Sequence, residues 1–202
     1  MQPSEGSLYA SPLSTAYGIV CATLDAWLVS VSPEKGETLW RRSLGQPIFT
    51  SPLYCPRREL VYAGSVNRTF YAVSARDGEL IWQQSTQAPI FSSPVLYDNN
   101  SLLFGCHDRG LYRLDASTGS LIWRHELDGE IFASPDYESG AGGRIVAATS
   151  SGTVYLVSPS GETLSSWQLS GQVFSSPLFL PGRIVVGSRD NFLYCYDEEP
   201  QS

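Results

Sequence analysis

From Leu8 to Asp197 the chain is a succession of short runs in which apolar and polar residues alternate, separated by Gly, Asp, Asn and Ser. A period of two marks a strand with one buried face, because successive side chains point to opposite sides. No window shows the spacing of an amphipathic helix, and no apolar run approaches the ~18 residues of a membrane-crossing helix. The pattern predicts an all-β protein.

The runs come in groups of four, and the groups repeat. Ser-Pro recurs at Ser11, Ser51, Ser93, Ser134 and Ser176, at intervals of 40–42 residues. A period near 41 containing four strands is the signature of a propeller blade. The repeats span residues 8–45, 46–87, 88–128, 129–170 and 171–197. Each opens on a strand that includes the Ser-Pro, such as IFTSPLY from Ile48. Proline lacks a ladder donor, so this strand is expected at an edge facing a central channel.

A second strand follows, with a small residue in one column: Ala22, Gly64, Gly105, Ala148 and Gly187. Then come a tight turn carrying Asp25, Asn67, Asp108, Ser151 or Asp190, and a third strand with Tyr71, Tyr112, Tyr155 and Tyr194 in register. Short polar side chains cap such turns and tolerate left-handed backbone. A turn ending in Gly36, Gly78, Gly119 or Gly161 leads to the fourth strand, with Trp40, Trp82 and Trp123 aligned. In the fourth repeat Ser165 holds that column, and Trp167, two residues on, lies on the same strand face. The fifth repeat ends after its third strand. The expected architecture is a β-propeller of four-stranded antiparallel blades, about five of them with the last incomplete, and part of a larger propeller whose upstream blades are missing.

Composition agrees: 18 Gly, 13 Pro and only 16% charged residues suit many strands and turns. The formal charge of −7, with scattered arginines and a single lysine, Lys35, argues against binding the phosphate backbone of nucleic acid. Cys21, Cys55, Cys106 and Cys195 are widely spaced; they read as small buried hydrophobes in a reducing compartment. The first residues, MQPSEGS, lack the basic and apolar regions of a secretory signal, so a cytoplasmic protein is expected.

Units such as LYRLDASTGSLIWR (111–124) and FYAVSARDGELIWQ (70–83) resemble the repeats of quinoprotein-type, PQQ-like β-propellers. The resemblance implies that each Trp docks between blades, against a small residue ten positions earlier and the turn glycine of the neighbouring unit. It assigns Gly36, Gly78 and Gly119, four residues before each Trp, with Ser30 and Ala72 as the small residues; Arg113 breaks the pattern. The segments 38–55 and 171–197 also resemble the C-terminal propellers of the beta-alanine-activating enzyme family, which is similar to non-ribosomal peptide synthetases. That resemblance implies a non-catalytic module attached to adenylation and carrier domains, with those domains or another protein as partner. ATP and phosphopantetheine would be bound in those domains, whose motifs are not in this sequence.

Candidate chemistry is sparse. Quinone dehydrogenases resemble one another in an adjacent cysteine pair and a calcium site; here no Cys-Cys occurs, and the Asp/Asn column is spread one per blade. No quinone, metal or catalytic residue is assigned, a quinone-dependent dehydrogenase or a free-standing scaffold being the alternatives. The turns between second and third strands should share one face. Asp25, Arg68, His107, Arg109, Arg189 and Asp190 are therefore the candidate interaction residues.

Overall fold

A computed structural model describes residues 7–138 and 143–197. Among these there is no helix; the strands form five antiparallel sheets, four of four strands and the last of three. In the second blade Leu53–Cys55, Leu60–Ser65, Thr69–Ser74 and Leu80–Ser85 pair in sequence order. The first strands of neighbouring blades approach one another, Leu13–Ser14 with Leu53–Cys55 and Asp136–Tyr137 with Leu178–Leu180, which makes them the innermost.

The Ser-Pro pairs lie just ahead of these inner strands rather than inside them, because pairing begins after the proline. The serine is engaged sideways instead. Its N–H donates to the hydroxyl of the next blade's Ser-Pro serine: Ser11 to Ser51 (3.2 Å), Ser51 to Ser93 (2.9 Å), Ser93 to Ser134 (3.1 Å) and Ser134 to Ser176 (3.0 Å). A hydrogen-bonded hoop thus ties the blades together at the inner rim.

Four apolar clusters fill the four blade interfaces. The richest lies between the second and third blades, where Phe70 stacks on Phe104 at 4.3 Å and Tyr62 tilts against Trp82 at 5.7 Å. Each Trp docks on the turn glycine of the following blade: Trp40 on Gly78, Trp82 on Gly119, Trp123 on Gly161. The sequence-based pairing with Gly36, Gly78 and Gly119 of the same unit is therefore one blade out of step, and a Cβ at Gly36 would meet nothing within 4 Å. Indole N–H groups reach the carbonyls of Ala75, Ala116 and Pro159 at 3.0–3.3 Å. Arg113 does not block the third docking: its guanidinium turns aside over Tyr97 and shares the Pro159 carbonyl with Trp123. Trp167, without a glycine to sit on, stacks on Tyr196 of the fifth blade at 4.8 Å.

One irregularity recurs. In each complete blade the register shifts between third and fourth strands, at Ser30/Val31, Ala72/Val73, Arg113/Leu114 and Leu156/Val157. The unpaired residues are Leu39, Ile81, Ile122 and Leu164, which stand 48–49% exposed on the outer wall. A bulge re-aims the next side chain. Here it turns the Trp column towards the neighbouring blade and sets the preceding aliphatic outward.

The four cysteines are all free, and they are not all buried: Cys55 and Cys106 are, Cys21 is half-buried and Cys195 is exposed. The reason is position. Cys195 lies on the fifth blade's far face, where no further blade packs among the described residues. Leu193 beside it is 75% exposed, whereas Val154, its counterpart in the fourth blade, is fully buried.

Candidate functional site

At the end of the propeller that carries the second-to-third-strand turns, every repeat places an aromatic residue two positions before its Ser-Pro serine: Tyr9, Phe49, Phe91, Phe132 and Phe174. Because these segments lead into the innermost strands, the rings meet across the blades. Centroids are 5.5, 5.2, 5.8 and 4.9 Å apart in order, with edge-on or tilted planes. Such geometry is the favoured one for neighbouring rings, whose edges and faces carry opposite partial charge. Tyr9 is 71% exposed and the four phenylalanines are half-buried, so the arc forms an apolar floor that solvent reaches.

The adjoining turns are sewn to this floor. Leu24, Val66, His107, Ser150 and Arg189 occupy one turn position. Their N–H groups donate to the carbonyls of Ser7, Pro47, Pro89, Glu130 and Gln172, at 2.8–3.2 Å. Each acceptor lies two residues before an arc ring, so turn and ring move as one.

The six sequence-predicted residues divide by position within the turn. His107 and Arg189 hold the position above and join the arc. The imidazole sits between Phe91 and Phe132, at 4.4 and 4.0 Å, and the Arg189 guanidinium lies over Phe174 at 4.3 Å. Arg68 and Arg109 hold the left-handed position at the tip (φ 65° and 66°) and are exposed, Arg109 pairing with Glu126 on the fourth strand. Asp190 is a latch, bonded to the Tyr194 hydroxyl at 2.8 Å, as Asp108 is to Tyr112 at 2.6 Å and Asn67 to Tyr71 at 2.6 Å. Asp25 is exposed, in the one blade where Val29 replaces the tyrosine.

The latch explains two perturbed carboxylates. Burial by itself would raise Asp108, but bonds from the Tyr112 hydroxyl and the N–H groups of Gln87 and Gly110 hold it below its ordinary value. In the fourth blade Ser151 has replaced the acid, and Asp128 reaches in from the preceding loop to Thr149 and Thr153, which holds it low in the same way. These acids are structural ties. Among the described residues no group of three or more His, Cys, Asp and Glu is placed to hold a metal ion.

The arc rings and the seat of His107 between two of them were not anticipated from the sequence, which placed His107 only among the candidate residues of the turn face. The available signal was the constant offset of an aromatic from each Ser-Pro. Burial pushes the His107 imidazole below its usual pKa, against the opposing pull of Glu130 and Asp108, and its Nε2 is buried without a hydrogen-bond partner. Burial lowers His125 as well. A base whose pKa is lower folded than unfolded binds its proton more readily unfolded, so stability falls as pH drops below the ordinary histidine value. The urea midpoint should therefore decline from about pH 6.5 to about pH 5, and His107→Phe should flatten that decline. An unchanged slope in the variant would clear His107 of responsibility.

Comparison with known proteins places this architecture. A family model described as "Beta-alanine-activating enzyme, beta-propeller" matches residues 1–197. The beta-alanine-activating enzyme of Homo sapiens is 43% identical over 54 residues, which cover 26% of this chain and 5% of that protein; the mouse enzyme is 41% identical over the same length. The match thus spans a small fraction of the curated relatives' length. Among solved structures, BamB from Moraxella catarrhalis superposes with a TM-score of 0.77 at 14% identity, over 93% of this chain and 57% of that one. The WD40 β-propeller domain of Doa1 gives 0.73 at 15% identity, over 94% and 63%. At these identities the solved structures show the propeller fold alone.

Proposed function

The chain belongs to the β-propeller family of beta-alanine-activating enzymes, and from that premise we propose that it is a non-catalytic interaction and scaffold module of an amino-acid-activating enzyme. Its binding surface is the turn face floored by the aromatic arc. The observation that carries this reading is the arc itself: five solvent-reaching rings in a continuous row of edge-on and tilted contacts, backed by the serine hoop and flanked by His107 and Arg189. A rigid apolar patch with a polar rim is what a protein partner recognises. The partner is an adenylation or carrier domain of the same polypeptide, or another protein.

On this reading ATP and phosphopantetheine belong to those other domains, the repeats are of the quinoprotein type without a quinone, and the four free thiols suit the cytoplasm. A photo-crosslinking phenylalanine placed at Phe49 or Phe132 in the full-length protein should label the adenylation domain, the carrier domain or a bound protein. The same probe at Leu39 on the outer wall should not. Equal labelling from Leu39, or none from either arc position, would sink the proposal.

A further inference from the structure

Five turns overlook the arc, and one position in each decides what stands over the rings. Leu24 and Val66 are aliphatic there, His107 lies against Phe91 and Phe132, and Arg189 lies over Phe174. The fourth blade, between the last two, has only Ser150. Its N–H is engaged by the Glu130 carbonyl at 2.8 Å, and its hydroxyl has no partner among the described residues. A serine is too short to cover what an imidazole or a guanidinium covers. A notch is left above the contact between Phe132 and Phe174, whose half-buried rings are tilted at 56° with centroids 4.9 Å apart.

The two ends of this notch differ in charge. Of the turn arginines, Arg109 pairs with Glu126, whereas Arg68 and Arg189 pair with no acid among the described residues, and of these two only Arg189 is seated on a ring. Asp190, next to it in the chain, is engaged by the Tyr194 hydroxyl. A guanidinium resting on an aromatic ring keeps its fork of N–H donors for a planar anion, and the ring shields one side of the pair from water. At the opposite end Glu130 stands beside His107, whose protonated form it favours. The notch therefore has an apolar floor, a cation and a free hydroxyl at one end, and an acid at the other.

We infer that the notch between His107 and Arg189 recognises a protein segment in which a large apolar side chain stands beside a carboxylate. The apolar group lies on Phe132 and Phe174, while the Arg189 fork and the Ser150 hydroxyl donate to the carboxylate. A basic segment would set its charge against Arg189. A purely apolar one would cover the guanidinium and the hydroxyl without giving either an acceptor, which costs more than the contact returns. The inference rests on the reading of the turn face as a binding surface, and adds the chemistry of what binds there.

The test carries the photo-crosslinking probe at Phe132 one step further in the full-length protein. The peptide joined to it, identified by mass spectrometry, should hold an Asp or Glu beside an aromatic or large aliphatic residue. Arg189→Glu should cut that labelling about tenfold, because like charges then face each other. Labelling from Phe49 and the melting temperature should stay as they were. Arg189→Gln, which removes the charge and keeps much of the stem, should act in the same direction if the Glu variant proves unstable. Exchanging the mapped carboxylate for Lys should restore labelling in Arg189→Glu. No labelling from either arc position would sink the reading of the turn face together with this inference. Labelling from Phe49 but not from Phe132, labelling that survives both Arg189 variants, or a mapped segment without a carboxylate would overturn this inference and leave that reading standing.

Discussion

Trp82→Ala should remove about 3–5 kcal/mol of stability, the usual loss when a large buried aromatic is truncated and the site cannot collapse. The ring is 9% exposed, lies on Gly119, tilts against Tyr62 and stacks at 6.1 Å on Phe70. Its N–H satisfies the Ala116 carbonyl at 3.3 Å, an acceptor that the Tyr62 hydroxyl also uses at 2.8 Å. Truncation therefore opens a cavity between two blades whose backbones are held by their own ladders. For a chain of this size the melting temperature should fall by roughly 6–20 °C. Trp167→Ala is the control. That ring is half-buried, meets Tyr196 and has no glycine seat, so its loss should be less than half as large. Equal effects from the two would mean that docking on the next blade's glycine contributes little. Since blades interact with their neighbours only, hydrogen exchange should rise first at the second and third blades.

Gly105→Ala should be damaging in the opposite sense, by overfilling. Its added Cβ would lie 2.1 Å from Cγ2 and 2.6 Å from Cβ of Ile131 in the next blade. Ile131 Cβ is fixed to the backbone, so relief requires the blades to part, and about 3 kcal/mol is expected. Gly187 occupies the same column in the fifth blade, where the nearest atom to an added Cβ is the Ser175 hydroxyl at 3.3 Å. Gly187→Ala should change stability by less than about 1 kcal/mol, because a strand glycine gains by losing unfolded-state freedom. Ile131→Ala should rescue part of the Gly105→Ala loss in a double-mutant cycle. Additive losses would show that the clash is relieved elsewhere.

The blades themselves were legible because each is a local object. Alternation, turn residues and a 41-residue period all act within one sheet, so the sequence read alone leads to five antiparallel sheets in which Trp82 lies opposite Ala72 and Tyr62 opposite the same residue from the other side. What joins one blade to the next was legible only in part. A Trp four residues after Gly78 invites the nearest pairing, yet strand four and the turn before it point to opposite neighbours, and Trp82 lands on Gly119. The arc was hidden for a similar reason. Phe91 in a run such as IFSSP reads as one more core residue until Phe49 and Phe132 are seen on either side of it.

The sequence by itself determined the strand order, the turn chemistry and the small-residue column, since these depend on hydrogen bonding and sterics within about forty residues. Only the tertiary structure decided which glycine carries which indole, that the Ser-Pro serines form a hoop, and that His107 lies between two phenylalanines instead of in water. Each of these is a contact between repeats, about forty residues apart in the chain. The periodicity that makes the repeats recognisable is the same in every copy, so it cannot say which copy faces which; the packing of one twisted sheet on the next does.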